Sequence, residues 1–263
     1  MEPKRVFYTP TATNVAMVAK LRELSRFKDV VFVALPADQR ERWEELKAID
    51  GRAAFIWGDG FSHHDSYYFT CNTAIQLKVN IDAHPDWSGR CMAIRALTGK
   101  VVADYAGHMD ATEFDGVKII VPNEVHELKE ADLRWIVERI TYSREVVALT
   151  IDCDVIPNFP TRRPWVFEDG IGASHIIAMV NAVRGRVLRL DVGGMVEGVS
   201  EFDFIIRERL IIPTLEETRA VAMAKDPIYS KRPQPPADIL NRVCSHAFWI
   251  YADILAAFFG VDS

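Results

Sequence analysis

Short, almost uninterrupted apolar runs alternate along this 263-residue chain with segments of helical periodicity. The runs fall at residues 29–36, 53–57, 77–81, 117–122, 144–151 and 186–192. A strand that is apolar on both faces must be covered on both faces, and strands separated by helices run parallel. The pattern therefore predicts an α/β fold, a three-layer αβα sandwich with a mainly parallel sheet, in a single domain over 1–263. Helices are expected at 11–26, with Val15, Val18, Leu21 and Leu24 inward, and at 37–49, with Trp43, Leu46 and Ile49 inward. Others are expected at 67–75, 92–97, 129–142, 174–183, 216–225 and 238–259. In such sheets ligands gather beyond the carboxyl ends of the strands.

Two of those strand ends carry spaced acids. Val79-Asn-Ile-Asp-Ala-His-Pro-Asp-Trp87 sets Asp82, His84 and Asp86 at alternate positions, and Ala148-Leu-Thr-Ile-Asp-Cys-Asp154 does the same for Asp152 and Asp154. Extended backbone turns alternate side chains to one face, so each set can converge on one spot. Acids at strand ends also cap the turn that follows, which is the commoner use of a lone Asp-x-Asp. Carboxylate and imidazole together suit manganese, iron or zinc. Burying five such groups with no cation would leave repelling charges in a medium that tolerates them poorly. Cys153, between two of the acids, is expected on the opposite, buried face.

Composition narrows the function classes. The formal charge is -6, and no long basic run offers the clustered Lys and Arg that phosphate binding needs, so no nucleic acid is expected. No stretch approaches the ~20 uninterrupted apolar residues that span a bilayer, and the start of the chain has no apolar leader, so no membrane is expected either. The four cysteines show no C-x-x-C spacing and sit in apolar segments, which fits a reduced, cytoplasmic setting. A small-molecule substrate is the expected partner, and a homo-oligomer is left open.

The two acid-bearing segments resemble motifs of the ureohydrolases (arginase, agmatinase, formiminoglutamase), a superfamily with the arginase–deacetylase fold. Asp82-Ala-His-Pro-Asp86 is similar to their D-A-H-x-D, and Thr150-Ile-Asp-Cys-Asp154 to the first half of their S-x-D-x-D-x-x-D-P. Upstream, His63-His64-Asp65-Ser66 stands where the family has a Gly-rich strand end and a metal-binding histidine, with His64 in the better register and both histidines expected in a turn. Asp169-Gly-Ile-Gly172 is similar to the family's P-G-G-L turn. The resemblance spans roughly residues 55–194. It implies a centre of two divalent ions, manganese first with zinc or iron as alternatives, held by His64, Asp82, His84, Asp86, Asp152 and Asp154. Asp82 and Asp152 would bridge the ions. The centre would activate water to attack a guanidinium, formimino or amide carbon, with Asp86 orienting the nucleophile and receiving its proton.

The departures bear on the substrate. Ile156-Pro157-Asn158 replaces the closing D-P, and Gly193-Gly194 stands where the family carries the Glu of E-V-N-P. Glu197, a few residues later, is the candidate replacement. His108 is the nearest candidate for the family's proton-shuttling histidine. Arg162 and Arg163, in the loop 159–167, could attract an anionic group, and Arg163 is taken as substrate-binding. His126, His175 and His246 fall on predicted helices or their approaches and are read as structural. The expected function is a binuclear metal-dependent hydrolase of a C–N bond in a small metabolite. The alternatives are a mononuclear zinc amidohydrolase of the deacetylase type and a non-catalytic metal-binding protein of the same fold.

Overall fold

The computed structural model describes residues 3–58, 63–70, 75, 77–81, 101–105, 113–114, 117–118, 130–142, 144–162, 166, 168, 170–207, 209, 211–226 and 232–261, some positions by backbone alone. In chain order the strands are β1 Lys4–Tyr8, β2 Val30–Ala34, β3 Ala53–Ile56, β4 Leu77–Ile81, β5 Val101–Tyr105, β6 Glu113–Phe114, β7 Val117–Lys118, β8 Val147–Asp152 and β9 Val187–Gly193. The helices are α1 Ala12–Glu23, α2 Gln39–Ala48, α3 His63–Thr70, α4 Glu130–Tyr142, α5 Ala173–Val183, α6 Leu215–Lys225 and α7 Ala237–Phe259. Seven strands form one sheet in the order β2-β1-β3-β9-β8-β4-β5, and every pairing in it is parallel. β6 and β7 pair separately and antiparallel.

Alternation along each strand divides the core in two. On one face Val6 and Tyr8, Ala54 and Ile56, and Leu149 and Ile151 pack with α1, α4, α5 and α7. On the other, Phe7, Ala53, Phe55 and Trp57 pack against Leu46 of α2 and Phe69 of α3. Helices on both faces of a parallel sheet make the three-layer sandwich that the apolar runs predict. Among the described residues α7 is the longest helix, and its half-buried Asp253 is paired with the nearly buried Arg26 side chain (2.8 Å).

Local chemistry sets the helix boundaries. Thr11 caps α1 by accepting from Asn14 N, and Asp38 caps α2 by accepting from Glu41 N. Thr214 and Glu217 exchange bonds in a capping box at the start of α6.

Five expectations need correction. β5 is not among the expected strands, and among the described residues the 117–122 run gives only β7, paired antiparallel with β6 outside the parallel sheet. β1 was not anticipated, since Lys4-Arg5 opens a run of only three apolar residues; it lies between β2 and β3, where Arg5 donates to the Asp50 carbonyl. The 29–36 run is not buried on both faces: β2 is the edge strand, and Val31 is 50% exposed. Val15 of α1 faces outward, and Ala16, Met17, Val18 and Leu21 supply the buried side. The helix expected at 92–97 lies outside the described residues. Among the described residues no helix is long and apolar enough to cross a membrane.

Candidate metal centre

β8 is buried along its whole length and stops at Asp152, where residues Cys153–Val155 turn into a single 3-10 turn. Asp152 and Asp154 therefore do not alternate along extended backbone, as their spacing suggests. Asp152 is the cap of the turn, and its Oδ1 accepts from Asp154 N at 3.0 Å. That is the capping use of a strand-end acid. Both acids are almost fully buried, at 2% and 3% exposure. Cys153 points into the core, as expected. Burial pushes its thiol well above the usual range, and the charges of Asp152 and Asp154 push it further, so it stays protonated. Buried carboxylate oxygens beside a silent thiol are a donor set that fits a hard divalent ion such as Mn²⁺ and could hold one.

The sheet brings the two acid-bearing strands side by side. β4 pairs with β8, and Ile81, the residue before Asp82, is level with Ile151, the residue before Asp152. Asp82, His84, Asp86, His108 and Arg163 themselves lie outside the described residues. Among the described residues no three His, Cys, Asp or Glu side chains gather into an ion cage.

On the other side of β8 lies β9, with Gly193 level with Asp152. A Cβ on Gly193 would fall 2.0 Å from Cδ2 of Trp57, and one on Gly194 would fall 2.1 Å from Asp152 Oδ1. Gly194 also has φ +97, a conformation that side chains rarely adopt. The glycine pair is thus required by the packing of an indole and a carboxylate against bare backbone. Glu197, three residues after Gly194, is half-buried. Its charge reaches the phenol of Tyr251 in α7, whose pKa is pushed well up, first by burial and then by Cys153, Asp152 and Glu197.

His63 and His64 do not sit in a turn. They form the first turn of α3, four residues earlier than the helix expected from Tyr67. The next two residues explain the boundary. Asp65, 3% exposed, accepts from Arg42 Nε (2.8 Å), Trp43 Nε1 (2.8 Å) and Thr9 Oγ1 (3.1 Å), tying α3 to α2 and to the end of β1. Ser66 donates to Asp191 of β9 at 2.9 Å. Asp65, Ser66 and Asp191 were not singled out in the sequence. The one signal for Asp191 was a charge inside the apolar run 186–192.

The two other described histidines sit as expected of structural residues, His175 at the exposed start of α5 and His246 within α7. His126 lies outside the described residues. A cavity of about 300 Å³ between α4 and α5, lined by Leu133, Val137, His175 and Met179 among others, contains none of the predicted site residues.

Compared by sequence, the chain matches no family model and no curated protein. Compared by structure, it is similar to the agmatine ureohydrolase of Thermoplasma volcanium, with TM-score 0.59 at 11% identity over 98% of this chain and 90% of that one. The arginase from Bacillus cereus gives TM-score 0.60 at 11% identity, over 99% of both chains. The proclavaminate amidino hydrolase of Streptomyces clavuligerus gives 0.53 at 14% identity, over 96% and 94%. With seven parallel strands between two helical layers, matched along nearly its whole length, this chain has the fold of the arginases and agmatinases, at great sequence distance from them.

Proposed function

We propose that the protein is a hydrolase that uses two divalent ions, manganese first, to cleave a C–N bond of guanidino, formimino or amide type in a small metabolite. The observation that carries this reading is the pairing of β4 with β8, which sets Ile81, the residue before Asp82, level with Ile151, the residue before Asp152. The fold shared with an arginase, an agmatine ureohydrolase and an amidino hydrolase supports the same reaction class.

In this reading His64, Asp82, His84, Asp86, Asp152 and Asp154 hold the ions. When bound, a pair of divalent ions supplies Lewis-acid activation of water for attack on a trigonal carbon. Asp86 takes the proton from the attacking water, and His108 delivers one to the departing nitrogen. Gly193 and Gly194 put no side chain beside Asp152, so polar recognition of the substrate falls to Glu197 and to Arg162 and Arg163. A cytoplasmic setting belongs to the same reading and agrees with the free, buried thiols of Cys153 and Cys244.

The test is turnover by the manganese-loaded full chain, compared with chelator-treated protein, on agmatine, formiminoglutamate and acetylated polyamines. Metal-dependent release of urea, formamide or acetate is expected from one of them. Metal-independent turnover would overturn the mechanism, and firm metal binding with no turnover on a broad C–N panel would favour a binding protein.

A further inference from the structure

One buried carboxylate has no part in that reading as it stands. Asp191 lies inside β9 at 0% exposure, where an ionised group is tolerated only if its oxygens are hydrogen-bonded. Its Oδ1 accepts from Trp57 Nε1 (3.0 Å) and Ser66 Oγ (2.9 Å), and its Oδ2 from Thr150 Oγ1 (3.1 Å). The donors come from the end of β3, from α3 and from β8. Two of them stand two residues from a proposed ligand. Ser66 follows His64 along α3, and Thr150 precedes Asp152 on the same face of β8.

We infer that Asp191 is a positioning residue that fixes α3 against the end of β8, so that the ligands carried by the two elements meet at the distances an ion requires. The inference rests on the proposed metal centre and extends it by one shell of hydrogen bonds. Its physical basis is the weakness of α3 alone. A helix of eight residues has too few internal bonds to hold its own place. Tertiary anchors must set its rotation, and ligand distances tolerate errors of only about 0.2 Å. Asp65 anchors α3 toward α2 and β1, and the Ser66–Asp191 bond anchors it toward the strands that end at the site. Trp57 shares the same carboxylate oxygen while its ring lies over Gly193, so the indole is fixed by the same group.

The test is manganese titration of the metal-free full chain by calorimetry, with unfolding temperatures measured alongside. Ser66→Ala removes only the link to α3, and Asp191→Asn keeps an acceptor oxygen for Trp57 and Ser66 while its amide can donate to the Thr150 hydroxyl. In the wild type two ions should bind. In Ser66→Ala one of the two dissociation constants should rise about 10–100-fold, the usual effect of losing an outer-shell partner. In Asp191→Asn both constants should stay close to those of the wild type, because the three bonds survive. A purely structural role would lower the unfolding temperature of Ser66→Ala and leave both constants unchanged, and that result would overturn the inference. An Asp191→Asn loss as large as that of Ser66→Ala would also overturn it. A wild-type chain that takes up no manganese would instead remove the proposed function, and this inference with it.

Discussion

Gly194, just past the end of β9, packs against Asp152 at the end of β8: a single methyl added to the glycine would lie 2.1 Å from the Asp152 Oδ1. Gly194→Ala is therefore expected to destabilise the fold by about 1–3 kcal/mol from its positive-φ backbone alone. Displacement of the Asp152 carboxylate should add to that and weaken metal binding. Urea unfolding midpoints of the two proteins check the first effect, and a substitution with wild-type stability would contradict the packing described.

The same contact bears on specificity. Neither Gly193 nor Gly194 can carry the carboxylate that the resemblance places there, so a guanidinium loses its expected partner. A buried polar group left unpaired can cost a factor of 10⁴ or more in discrimination. Arginine should accordingly be a poor substrate, with kcat/KM below ~10⁴ M⁻¹ s⁻¹ for manganese-loaded protein in steady-state assays. A value at or above that range would mean that Glu197 or another group supplies the contact.

How much of this was legible in the sequence depends on where each interaction comes from. β3 and β8 were readable because their apolar content is local and nearly continuous, β4 because Leu77, Val79 and Ile81 recur at strand spacing, and α2, α4 and α7 because one face repeats at helical spacing. β1 escaped because two of its five residues are cationic, and its place is fixed only by pairing with β2 and β3. The start of α3 escaped for a similar reason. Asp65 and Ser66 set it through bonds to Arg42, Trp43 and Asp191, partners 22 or more residues away that no local pattern reveals. At the site, the acids could be named from spacing with capping as one of their two uses, but only the 3-10 turn at Cys153–Val155 shows that Asp152 is the cap.

Asp65 joins three elements, so its removal should be felt globally. Asp65→Ala breaks a buried ion pair with Arg42, whose side chains are 4% and 11% exposed, and also removes the Asp65 acceptor of the Trp43 indole N–H. Breaking such a pair costs about 3–5 kcal/mol. Arg42 retains the Pro36 and Ala37 carbonyls, which places the expected loss near 3 kcal/mol, at the lower end of that range. Denaturant titration reads it, and a loss within error of zero would rule out Asp65 as an anchor of α3.

His246 in α7 carries a pH dependence of known sign. Burial lowers its pKa from 6.5 to about 4, and its Nε2 has no hydrogen-bond partner. The unfolded chain binds the proton more readily, so this stabilisation is complete above about pH 6.5 and is lost as pH falls toward 4. The full effect is on the order of 3 kcal/mol. Unfolding temperatures between pH 4 and 7 should fall more steeply for the wild type than for His246→Gln, and parallel curves would contradict the assignment.

The central claim is a centre of two divalent ions built on strand ends that include Asp152. Elemental analysis of manganese-loaded protein after removal of free metal tests it most directly. The wild type should retain about two ions per chain, the occupancy that a two-metal site implies. Asp152→Asn, which alters the proposed bridging ligand while preserving side-chain size, should lose occupancy at both positions together. Retention of no metal by the wild type, or full retention by Asp152→Asn, would contradict the account.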